Sequence, residues 1–295
     1  MARVAVVGVG AIGGVVAALL HATGQHEITL CTRRPMPALT VHTPDGVVSV
    51  KATNVTDPAL AQPADWVLVA TKTYDTQGAA EWLSPLCKAG APVAVIQNGV
   101  EHRERFATIL STNQILPVII DCPVERRADG TVVQRGAVKM QVEAGALGND
   151  LAQLFAGANA SVALADDFLT AAWRKLCINA AGAISALVAQ PAGILQQEAL
   201  AKLALEIVAE CAAVGRAEGA LLDESIGLQV LEGYRAQPPD SINSMLADRL
   251  AGRPMEIDAR NGVIVRKGEK HQISTPANRM AVALLQALQG ASSLS

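Results

Sequence analysis

Through the first half of the chain, short apolar runs alternate with longer stretches rich in Ala and Leu. Residues 4–7 are continuously apolar and end at a glycine, which predicts a buried strand. Residues 12–22 carry Ala, Val and Leu over a helical length and predict a helix. Further strands are expected at 28–31, 47–52, 66–70, 93–96 and 116–120, with an antiparallel edge formed by 132–133 and 138–142. Such alternation predicts a mostly parallel, doubly wound sheet. Near Asp166 the pattern changes. Residues 171–189 predict one long helix, and 199–218 a second, with Leu203, Ile207, Val208 and Cys211 at helical spacing. Pro238 and Pro239 break the chain, and Pro276 stands near the start of a last helix reaching residue 288. The expected fold class is therefore α/β: a doubly wound sheet over 1–165, then an all-α domain over 166–295.

Composition narrows the picture. A chain of 295 residues suits about two domains. Hydrophobic residues make up 51% but aromatic ones only 3%, so the cores must be aliphatic. The net charge of −3 does not favour a nucleic-acid partner, which usually needs a clustered basic face. No run of about 18 apolar residues predicts a membrane span. The five cysteines are scattered and lack a C-x-x-C pair, and the five histidines form no H-x-x-x-H. That is the pattern of reduced cytoplasmic thiols, with no metal site expected.

The chemistry begins at Gly8-Val9-Gly10-Ala11-Ile12-Gly13, a G-x-G-x-x-G that follows a predicted strand and opens a predicted helix. In that Rossmann-type context the first glycine makes the turn. The second admits a pyrophosphate, and the third lets helix meet strand. A dinucleotide is thus expected on Gly8, Gly10, Ala11, Ile12 and Gly13, its phosphates on helix N-terminal amides. An NAD site usually carries Asp or Glu at the end of the second strand, about 20 residues on. Here the strand runs into Thr32-Arg33-Arg34. The absent acid and the planar guanidinium of Arg33 both favour a 2′-phosphate, hence NADPH.

Two further strand ends are polar, at Thr71-Lys72 and Gln97-Asn98-Gly99. Ligands of open α/β sheets lie outside such ends. Lys72 suits a carboxylate or the cofactor, and Asn98 the cofactor ribose or the substrate; each alone is equally an ordinary loop residue. In the helical half, Lys175 and Asn179 lie i, i+4 on one face of a very apolar helix. A lysine there either snorkels or is held for proton transfer. Glu256 and Asp258 follow Pro254, where acids also suit a helix start.

Taken together, these residues resemble the ketopantoate reductase family (2-dehydropantoate 2-reductases) over nearly the whole chain. The likeness rests on the glycine loop, Thr71-Lys72, Gln97-Asn98-Gly99, Trp173-Arg174-Lys175-Leu176 with Asn179, Ser244-Met245 through Asp248, and Glu256-Ile257-Asp258 with Asn261-Gly262. The resemblance implies NADPH-dependent reduction of a 2-keto acid. It implies Lys175 as general acid, with Glu256 pairing to it and anchoring a substrate hydroxyl. Asn98 and Ser244 would bind substrate, Lys72 would lie beside cofactor and substrate, and Asn179 would contact substrate or hold Lys175. It allows a monomer or a homodimer.

The chain departs from the family pattern at three polar positions. Ala183 and Ala192 stand where asparagines are common, as does Ser241. Losing hydrogen-bond partners redirects substrate choice more readily than reaction type. Reduction of another 2-keto acid is therefore the second reading. A non-catalytic NADP sensor is the third, although it would need neither Lys175 nor Glu256.

Overall fold

Alternate residues of the first strand face two different cores. In β1 (Ala2–Val7), Val4 and Val6 pack into one apolar cluster, Ala5 and Val7 into another, and all are buried. A strand stretch covered on both faces must be apolar at every position, as residues 4–7 are, while Arg3 before them is exposed. One cover is α1 (Ala11–Ala22), which contributes Val15, Val16, Leu19 and Leu20. In the computed structural model, which describes residues 1–36, 38–127 and 129–292, two compact units emerge. The first comprises Met1–Gln97 and Glu101–Phe168, the second Asn98–Val100 and Leu169–Ser295.

After α1 the first unit continues with β2 (His26–Cys31), β3 (Leu39–Thr43), β4 (Gly46–Val50), β5 (Thr53–Val55) and β6 (Trp66–Val69). Then come α2 (Thr76–Leu86), β7 (Val93–Val95), β8 (Ile115–Asp121), β9 (Val124–Arg126) and β10 (Val132–Gln134). It ends with β11 (Val138–Glu143), α3 (Ala146–Leu154) and β12 (Ala160–Ala165). The main sheet runs β12-β11-β8-β7-β6-β1-β2-β5. Its pairs are parallel except β11 against β8. From β1 the chain winds outward through β2 and β5, then returns to β6 on the other side of β1. The carboxyl ends of β1 and β6 therefore flank a topological switch point, the place where such sheets take ligands.

Two expectations need correction. The strand expected over 47–52 joins a separate four-stranded sheet, β4-β3-β10-β9, and not the main one. Its Leu39, Val41, Val50 and Val132 are buried in the cluster that holds α1, so α1 has a sheet on either side. The segments at 132–133 and 138–142 do not pair with each other. Val132 is drawn to α1, pairing its strand with β3 and β9, whereas the strictly alternating β11 lies between β8 and β12.

The second unit is helical among the described residues. It contains nearly all of α4 (Phe168–Ala181), then α5 (Ala183–Val188), α6 (Glu198–Ala217), α7 (Ile226–Arg235), α8 (Ser244–Leu250), α9 (Val263–Lys270) and α10 (Pro276–Ser292). A π-helical turn, Asp258–Gly262, leads into α9. Trp173, Leu176, Cys177 and Ala180 of α4 pack with Ala204, Ile207, Val208 and Cys211 of α6. The single helix expected over 171–189 is interrupted at Gly182. A Cβ on Gly182 would lie 2.8 Å from Tyr234 Oη and 3.1 Å from Arg260 Nη2 and Asn243 Nδ2. Those groups, with Asn261, reach in to carbonyls of the last turn of α4 and to that of Gly182, which also accepts from Ala186 N at 3.4 Å. Tyr234 Oη donates to Ile178 O at 2.8 Å, Arg260 Nη2 to Asn179 O at 2.5 Å, Asn261 Nδ2 to Ala180 O at 3.2 Å and Asn243 Nδ2 to Gly182 O at 3.1 Å. No helix of the described residues is long and apolar enough to cross a membrane.

Candidate functional site

In the first unit the glycine loop has a geometry that suits an anion. Gly8 has φ of +91°, and a Cβ there would lie 2.6 Å from the Thr71 backbone nitrogen, so both conformation and space demand glycine. A Cβ on Gly13 would lie 2.1 Å from Gly8 O, which is the close approach of α1 to β1. Gly10 differs: a Cβ there would meet nothing within 4 Å, so its glycine leaves open space before the helix. The first helical bond runs from Gly14 N to Gly10 O, at 3.0 Å, and no side chain caps the helix start. The amides of Ala11, Ile12 and Gly13 precede that bond, with the positive end of the helix dipole behind them. The loop therefore suits a pyrophosphate.

Arg33 follows β2 and is 81% exposed; its Nη1 lies 3.4 Å from Asp75 of the turn before α2. Such an exposed pair is weak, so a phosphate dianion can compete for the guanidinium. Lys72 is half-buried and leads into the same turn. Arg126 on β9 was not singled out from sequence, yet its Nη1 donates to Val9 O at 3.2 Å inside the glycine loop. Nothing local in the sequence connects the two, because the contact depends on how the small sheet packs on α1.

Behind the loop, Gln97 is buried and donates from Nε2 to Thr71 Oγ1 at 3.0 Å. This ties the second residue past β7 to Thr71, the residue packed against Gly8. His102 Nε2 donates to Gln97 O at 2.8 Å. Burial first, then the nearby Arg105 charge, pulls the His102 pKa down to about 4, so the ring is neutral at pH 7. This is a brace rather than an acid.

In the second unit, Asn98, Asn179 and Glu256 meet. Asn179 Nδ2 donates to Asn98 Oδ1 at 3.3 Å, and Asn98 Nδ2 donates to Glu256 Oε2 at 2.8 Å. Glu256 is 6% exposed, and a carboxylate can accept roughly four hydrogen bonds, so one bond from Asn98 does not exhaust it. Lys175 is half-buried one turn before Asn179 on α4. Ser244 is exposed at the first position of α8, whose amides at Met245 and Leu246 donate to Asn243 Oδ1 at 3.0 Å. Arg260 Nη1 donates to Ser244 Oγ at 3.4 Å, linking α8 to the same group. Sequence reading missed Arg260, because among Asp258, Asn261 and Gly262 a further charge stands out by no local signal.

The three departures fall differently. Ala183 packs with Met245, Met255 and Ile257, and Ala192 is buried in the main helical core. Ser241 is half-buried and its carbonyl accepts from Ala192 N at 2.8 Å. The cysteines are free, and burial raises Cys31 and Cys122 to about 12 and Cys87 to about 11, far from nucleophilic thiolates. Among the described residues no cluster of His, Cys, Asp or Glu is built to hold a metal.

Known proteins match both halves. The family described as Ketopantoate reductase PanE/ApbA matches residues 4–162, and its C-terminal family matches 167–289. A 2-dehydropantoate 2-reductase of Caulobacter vibrioides is 47% identical over 287 residues, covering 97% of this chain and 99% of that protein. One from Mycobacterium tuberculosis is 38% identical over 286 residues, covering 96% and 97%. The crystal structure of a PanE/ApbA family ketopantoate reductase from Ralstonia eutropha superposes with a TM-score of 0.89 at 32% identity, covering 99% of each chain. The chain belongs to the ketopantoate reductase PanE/ApbA family.

Proposed function

We propose that the chain reduces 2-dehydropantoate to pantoate with NADPH. Residues 1–165 act as the NADP-binding domain and 166–295 as the substrate and catalytic domain. The observation that carries this reading is the hydrogen-bonded series Asn179–Asn98–Glu256, with Lys175 one turn away on the same helix. The activity named for the 47% and 38% identical relatives supports it.

When bound, the reduced nicotinamide supplies a hydride to the 2-keto carbon. Negative charge then grows on the carbonyl oxygen. The Lys175 ammonium stabilises that charge and gives up its proton there, leaving a hydroxyl on the product and a neutral amine on the enzyme. Glu256 pairs with Lys175 and anchors a substrate hydroxyl. Asn98 and Ser244 bind substrate, Asn179 contacts substrate or holds Lys175 in place, and Lys72 lies beside cofactor and substrate. The amides of Ala11, Ile12 and Gly13 hold the pyrophosphate, the open face at Gly10 admits it, and Arg33 takes the 2′-phosphate. A cytoplasmic enzyme fits the five free thiols. A homodimer is compatible with the apolar helical half.

The second reading, another 2-keto acid, draws on Ala183 and Ala192, which offer methyl groups within apolar clusters and no side-chain hydrogen bonds. One experiment separates the two: NADPH oxidation with 2-dehydropantoate beside a panel of other 2-keto acids. The proposal expects the highest kcat/KM for 2-dehydropantoate. A higher value for another acid would replace the substrate and keep the reaction. Bound NADPH with no turnover of any acid would mark a sensor.

A further inference from the structure

The end of α4 is capped by four side chains, and three of them are neutral. Tyr234, Asn261 and Asn243 satisfy the carbonyls of Ile178, Ala180 and Gly182. Only the carbonyl of Asn179 is given a cation, Arg260. Capping alone does not call for a charge in that place, because an amide or hydroxyl does the same work at the neighbouring carbonyls. Burying a guanidinium carries a desolvation cost that a neutral donor avoids.

Arg260 is 2% exposed within the π-helical turn Asp258–Gly262. Its Nη2 holds the Asn179 carbonyl and its Nη1 the Ser244 hydroxyl, while its buried Nε has no hydrogen-bond partner among the described residues. Burial lowers its pKa, against the attraction of Tyr234, Glu256 and Asp248, yet an arginine keeps its proton in proteins. Asp248 is also paired with Arg253 at 3.0 Å and Glu256 accepts from Asn98 at 2.8 Å, so Arg260 is not the sole partner of either carboxylate.

We propose that Arg260 is a positioning residue of the substrate site. It fixes Asn179 and Ser244 against one guanidinium, and supplies the buried positive field that favours an anionic 2-oxo acid over a neutral carbonyl compound. This rests on the function proposed above. The field acts through low-dielectric surroundings, where charge is screened less than at a surface. The planar fork holds two elements at once, which a lysine ammonium cannot reproduce.

The test compares the parent protein with Arg260→Met and Arg260→Lys, using 2-dehydropantoate and its neutral methyl ester. For Arg260→Met the KM for the acid rises about tenfold or more, as expected for loss of a charge-assisted hydrogen-bond anchor, while the Kd for NADPH stays within about twofold. The parent's preference for acid over ester collapses in the same variant. Arg260→Lys keeps that preference, because the charge remains, but shows a raised KM, because the fork is gone. A fold defect would lower the active fraction and would leave KM and the acid-to-ester ratio unmoved. If Arg260→Met does not fold, Arg260→Lys still decides: loss of its acid preference, or an unchanged KM, overturns the proposal. An unchanged KM and acid preference in Arg260→Met overturn it too. Failure of the parent to reduce any 2-oxo acid removes the underlying function and this proposal together, whereas an active parent with indifferent variants removes the proposal alone.

Discussion

The glycine loop of the first unit and the Asn98–Glu256 group of the second are built by opposite means. The loop is made of backbone. Its residues lie within six consecutive positions, and its specificity comes from side chains that are missing. The second group is made of side chains from separate segments, with Asn98 and Glu256 158 positions apart. A backbone site can offer amides and space, which suits a phosphate common to many ligands. A side-chain site can offer a proton donor, a carboxylate and carboxamides, which suits one substrate and one reaction. Damage to the loop should therefore appear in cofactor affinity, and damage to the second group in turnover or substrate KM.

The largest expected effect is that of Lys175→Ala. Loss of a general acid lowers kcat by roughly 10²–10⁴-fold. NADPH affinity, measured by fluorescence titration, should remain within about twofold. A matched fall in NADPH binding would break the division of labour. Next is Gly13→Ala. A Cβ there falls 2.1 Å from Gly8 O, so the loop or α1 must shift. A stability loss of about 3 kcal/mol is expected by denaturant unfolding, together with weakened NADPH binding. Normal affinity and stability would show that the loop tolerates the added atom.

A smaller and more selective effect belongs to Arg33→Ala. It should weaken NADPH by about tenfold, the scale of one charge-assisted hydrogen bond, and leave NADH nearly unchanged. Equal losses for both cofactors would remove Arg33 from the 2′-phosphate. The smallest effect lies in the second unit, at Glu218. Lys267 Nζ is 2.6 Å from its carboxylate, Lys270 Nζ 2.8 Å and His271 Nε2 2.5 Å. Burial alone would raise its pKa, but the hydrogen bonds from these three residues outweigh burial and hold it at about 2, against an ordinary 4.5. A depressed carboxyl contributes stability that is complete above the ordinary value and is lost as pH falls through the folded one. The melting temperature should therefore drop between about pH 4.5 and 2. In Glu218→Gln that part of the drop should vanish, at a cost of about 1–2 kcal/mol at neutral pH once solvent screening is allowed for. NADPH affinity and kcat should not move.

The same contrast explains what was legible in the sequence. Gly8, Gly10 and Gly13 announce themselves because spacing and context are local, and the resemblance that gave the family rested on short segments of this kind. That the main sheet would be mostly parallel followed from the alternation of strands and helices along the first half of the chain. The four-stranded sheet did not, since 47–52 reads as a strand without saying which sheet will take it. Only the packing of Val132 and Leu39 on α1 decides that. Within the apolar run 171–189 nothing local marks a break at Gly182, because the groups that crowd it, Tyr234, Asn243 and Arg260, come from distant segments. Arg126 and Arg260 escaped for the same reason. A long-range hydrogen bond leaves no spacing to read.

The most direct test follows the hydride itself. NADPH carrying deuterium at its transferable position is incubated with the intact chain and 2-dehydropantoate, and the product is examined by mass spectrometry. The account predicts pantoate one mass unit heavy, with the deuterium on the carbon that bears the new hydroxyl. Bound NADPH with no deuterated hydroxy acid, at any enzyme concentration, would contradict it.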